Sequence, residues 1–109
     1  MAARKPRAVR PLPAALQRLL ALAGRGVAPA RMAREVDIII GEWRALAEVD
    51  PGFDLPANLE ELCAALNDGV AAAEEQVADV DSSEAGAVKQ AGAMLSALVA
   101  TRNAARDAA

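Results

Sequence analysis

The side chains able to do chemistry in this chain are a single cysteine, Cys63, fifteen carboxylates and twelve Lys or Arg; histidine and tyrosine are absent. Without histidine the commonest general base and proton shuttle is missing, and no Ser-His or Cys-His pair can form. One cysteine with no histidine leaves too few ligands for zinc. A helical di-iron centre lacks its Glu-x-x-His pair. Gly24 and Gly26 are not followed by the Lys and Ser or Thr of a phosphate-cradling loop. Two groups of oxygens remain. Asp81 and Glu84 stand three residues apart, but at a chain break, where they suit helix capping. Asp50, Asp54 and Asn58 lack the alternating spacing of an EF-hand loop and suit turn formation. Cys63 lies on an apolar stripe, where a cysteine packs as a small hydrophobe. The sequence therefore predicts no catalytic residue, no metal ligand and no cofactor-binding residue.

What the titratable residues do offer is placement. Residues 1 to 44 carry nine Lys or Arg and three acids, a net of +6; residues 45 to 88 carry eleven acids and no base; residues 89 to 109 return to +2. The overall charge of −3 conceals this segregation. Glu60, Asn67, Glu74 and Asp81 form one seven-residue column, and Glu61, Asp68 and Glu75 form the next. Two explanations fit. An acidic helix can face basic neighbours within its own bundle, each exposed pair contributing about 0.2 to 1 kcal/mol. Alternatively Glu60, Glu61, Asp68, Glu74 and Glu75 present an acidic face to a partner protein with a basic surface. At the other end of the chain, Arg4, Lys5, Arg7 and Arg10, among prolines, read as a flexible basic arm over residues 1–11, suited to an anionic contact.

Four periodic segments must position these groups. Leu12, Leu16, Leu19, Leu20 and Ala23 mark a first helix that Gly24 and Gly26 end. Pro29 suits the first turn of a second helix, whose face is Met32, Val36, Ile39, Ile40, Trp43 and Leu46 or Ala47. After the Asp50-Pro51-Gly52 turn, Asn58 with Glu61 three residues on predicts the cap of a third helix. Its stripe is Leu59, Leu62, Cys63, Leu66, Val70, Ala73, Val77 and Val80, the element around which the sequence looks organised. Asp81 or Ser83 would cap a fourth helix from about Glu84 to Arg102 or beyond. Alanine supplies 29 of the 59 hydrophobic residues, so the body should be thin and closely packed. The prediction is an all-α bundle of three or four helices with short connecting turns, a single domain over 12–106 with a frayed tail at 107–109, completed by self-association.

Gly26 to Leu46, GVAPARMAREVDIIIGEWRAL, is similar in rhythm to helix-turn-helix DNA-binding segments, with Ala33 as the small residue and Val36, Ile38 and Trp43 as core positions. That resemblance implies a nucleic-acid-binding regulator using residues 26–46 and the basic arm. The segment departs from the pattern at Asp37, where a turn glycine is usual, at Ile39, where a polar cap belongs, and at Glu42, which would project near phosphates.

The last segment carries the self-association expectation. From Ala85 to Ala100 the clearly polar side chains Lys89, Gln90 and Ser96 form a narrow strip, and a helix apolar nearly all round must be buried somewhere. Either the other helices wrap it or a second copy covers it; the second is expected, with Val88, Ala91, Met94, Leu95 and Leu98 as the oligomer interface. Function then reads as a non-enzymatic protein-interaction module, an adaptor, inhibitor or regulator that partners itself and a basic protein surface. The rival is the nucleic-acid binder, and a small hydrolase using clustered acids and a divalent metal stands third. With no long apolar span and no signal-like leader, the expected location is cytoplasmic, away from membranes.

Overall fold

The computed structural model describes residues 11–109, which form four helices and, among the described residues, no strand. They are α1 (Pro11–Gly24), α2 (Pro29–Val49), α3 (Leu55–Asp79) and α4 (Ala85–Ala108). The basic arm, Arg4 to Arg10, lies outside the described residues.

Each connection has a local cause. Gly26 takes a φ of 71°, the left-handed conformation that closes α1. The Val27 N–H donates to Leu22 O at 3.3 Å and the Gly26 N–H to Ala23 O at 2.9 Å, a double closure that turns the chain toward Pro29. Between α2 and α3 the Gly52 N–H donates to Asp50 Oδ1 at 2.9 Å. Asp54, not Asn58, caps α3: its Oδ1 accepts from the Ala57 N–H at 3.0 Å, while Asn58 Nδ2 donates to the Asp54 carbonyl at 2.7 Å. The predicted start was late because Pro56 sits in the first turn, where the missing N–H has no intrahelical partner to lose. Neither Asp81 nor Ser83 caps α4; Glu84 stands at that position without a side-chain bond, and Asp81 closes the preceding turn.

Direction follows from a few contacts. Arg44 Nη2 donates to the Ala108 carbonyl at 3.2 Å, and a methyl at Gly26 would lie 3.5 Å from Ala93 Cβ, so α2 and α4 run parallel. Arg106 Nη2 meets Asn67 Oδ1 at 3.3 Å, and Val80 shares a cleft with Ala87, so α3 and α4 are antiparallel. Arg18 at α1 meets Glu35 at α2, and α1 also packs against α4.

The organising element is α4, not α3. It packs along both α2 and α3, which barely touch each other. Its buried residues are Ala91, Ala97, Leu98, Thr101 and Ala105, most of them small, which lets neighbouring backbones come close. Beside Leu98, the large buried side chains come from the surrounding helices: Leu19, Met32, Ile40, Leu62 and Leu66 are fully buried. A helix apolar nearly all round is thus covered through its C-terminal two-thirds by its own chain. Helix α4 runs through Asp107 and Ala108, where Arg44 donates to the Ala108 carbonyl.

Candidate interaction surfaces

Helix α3 buries Leu59, Leu62, Leu66, Val70 and Ala73, the predicted stripe, and this fixes what its opposite side shows. Glu60, Glu61, Asp68, Glu74 and Glu75 are all exposed. At 100° per residue they occupy an arc of about 140°, and from Glu60 to Glu75 they run for about 22 Å. Between the two acidic columns lies a line of exposed alanines, Ala64, Ala71 and Ala78, again seven residues apart. That line went unnoticed in the sequence, where alanine reads as helix filler. It leaves the face flat, with carboxylates as the raised edges.

These carboxylates have no basic partner among the described residues, where the single ion pair joins Arg18 to Glu35 at 2.6 Å. Arg106, on the adjoining helix, reaches the neutral Asn67 Oδ1 instead of an acid. Pairing within the bundle therefore does not account for the acidic face within residues 11–109. Glu35 is a buried carboxylate, and its Arg18 bond is what satisfies it. Periodicity gave no warning of this pair, since Glu35 flanks the predicted face of α2.

The expected oligomer interface is dispersed. Ala91 and Leu98 are buried within the single chain. Met94 and Leu95 are partly buried against that core, and Val88 is exposed near the α3–α4 turn. The segment 26–46 contains no internal turn: from Pro29 it is one continuous helix, so a recognition helix set off by a turn is not formed. Ile38, a core position in that arrangement, is 57% exposed.

The remaining groups serve local structure. The Ser83 N–H and hydroxyl donate to Asp81 Oδ1 at 2.9 and 2.8 Å, and these two bonds, the backbone one first, hold the Asp81 carboxyl below its ordinary value of 3.8. Thr101 is buried, its hydroxyl donating to the Ala97 carbonyl at 2.6 Å. Cys63 is half-buried, packed against the core as expected of a small hydrophobe, and lines an open cleft of about 480 Å³ with Leu55, Pro56, Leu59, Glu60 and Ala109. No helix among the described residues is long and apolar enough to cross a membrane, and no three of their Cys, Asp or Glu side chains converge as a metal site would require. Compared with protein-family models, curated proteins and solved structures, the chain matches none.

Proposed function

We propose that the chain is a non-enzymatic helical interaction module that binds a basic helical segment of another protein along the exposed face of α3. One observation carries this reading: two seven-residue columns of carboxylates flank a line of alanines and have no basic partner among residues 11–109. A flat alanine line admits a second helix at close range, and acids on both edges select Lys or Arg at the matching heptad positions. The role is that of an adaptor, inhibitor or regulator, because this face offers charge and shape for recognition.

The test is an affinity capture from the native host at low and high salt, with wild type beside a variant carrying Glu61→Lys, Asp68→Lys and Glu75→Lys. A specific partner held by wild type, lost by the variant and weakened by salt supports the reading. Equal capture by both proteins removes the acidic face from the account.

A further inference from the structure

We infer that the outer face of α2 is a self-complementary surface on which a second copy of this chain docks antiparallel, with the two helices crossing at Gly41. The inward side of α2 is fully used: Met32, Val36, Ile39, Ile40 and Trp43 are buried. The outward side nonetheless carries Ile38 at 57% and Val49 at 79% exposure. Between them lie Gly41 and Ala45, both exposed, and a methyl added at Gly41 would meet nothing within 4 Å among the described residues. A glycine inside a helix is about 0.8 to 1 kcal/mol worse than alanine. Nothing among residues 11–109 requires it at position 41, whereas close approach of a second backbone does.

Charge decides the occupant. The acidic face of α3 repels its own copy, but the outer face of α2 carries both signs in a polar order, with Arg34 and Asp37 before the glycine and Arg44 and Glu48 after it. Placing a two-fold axis at Gly41 pairs residues whose numbers sum to about 82. Ile38 then falls beside Ala45 of the second copy, Arg34 opposite Glu48, and Asp37 opposite Arg44. By symmetry each pair occurs twice, as an isologous interface demands. All of these side chains are exposed. Arg44 gives one nitrogen to Ala108 and keeps its other donors for a carboxylate. One helix face buries less than the roughly 1,600 Å² of a standard interface, so the dimer is weak and forms with rising concentration.

Sedimentation equilibrium of the full chain, from micromolar to about 1 mM, reads the outcome. Wild type should pass from monomer to dimer. Ile38→Glu should weaken the dimer at least tenfold, and so should Arg34→Glu, while Arg34→Glu combined with Glu48→Arg should restore it. Because these side chains are exposed, the variants should keep the wild-type helical dichroism. A wild type that stays monomeric at 1 mM overturns the inference. So does a dimer that Ile38→Glu leaves intact, and so does a failure of the double exchange to recover what the single one lost.

Discussion

Asp81 shows how a single side chain can be read correctly in type and wrongly in role. Its position before two serines predicted a cap for the last helix, yet its carboxylate closes on Ser83 two residues away. Short acceptors bond to whichever N–H the turn brings within reach, and sequence does not distinguish a turn from a cap when both begin at one residue. The consequence is a titration with a definite sign. The folded-state value is lowered, so the bonds are fully present above the ordinary carboxylate range and are lost as pH falls through the lowered value. Carboxyl chemical shifts followed with pH should place Asp81 below 3.8, and Ser83→Ala should move it back up. Gly69 is the opposite case. A glycine in mid-helix costs helix propensity, yet a methyl there would lie 3.6 Å from Leu20 Cδ2 and 4.0 Å from Leu98 Cδ2, which is ordinary contact. Gly69→Ala should therefore raise stability by about 0.5 to 1 kcal/mol in denaturant unfolding, through helix propensity.

Helices are where the sequence was most legible. The buried faces of α2 and α3 follow the predicted spacing from Met32 to Trp43 and from Leu59 to Ala73, because a 3.6-residue repeat of Leu, Val and Ile has one way to reach a core. The β-branched run Ile38 to Ile40 stayed helical for the same reason: Ile39 and Ile40 meet the core, and Ile38 projects outward. Helix ends were less legible. Asn58 and Glu61 matched a capping box, whereas Asp54 and Pro56 begin the helix one turn earlier. Capping depends on which N–H groups are left free, and that is settled by where Phe53 docks. Its ring meets Trp43 edge-on at 6.2 Å, which draws the chain in and places Asp54 at the helix entrance. Replacing Asp54 by Ala should lower stability by about 1 kcal/mol, while Asn58→Ala should change it less, a contrast that thermal unfolding resolves.

In the molecule as a whole, the order of packing was the least legible feature, because alanine hides it. Large side chains made α3 look central, but a helix at the centre of a thin bundle needs small residues on several sides so that three others can approach. That describes α4, where Ala97 and Ala105 are fully buried. The apolar breadth of this helix suggested a second copy as its cover, since few large side chains were in sight to do the covering. The leucines of α1 and α3 and the isoleucines of α2 share one buried cluster with Ala97, Leu98 and Ala105 and cover α4. The same residue type then has two meanings that one substitution can separate. Ala97→Leu places three extra carbons where there is no space and should lower stability by about 1 to 3 kcal/mol. For a domain of this size, that is a fall in melting temperature of about 4 to 8 °C for each kcal/mol. Ala71→Leu adds the same carbons to the exposed line of α3, where stability should change by less than about 0.5 kcal/mol. There the larger side chain stands between the acidic columns and should weaken binding of a basic helix while the bundle melts as before. If Ala71→Leu lowered the melting temperature as much as Ala97→Leu, that line would be packed within the chain and no longer available to a partner.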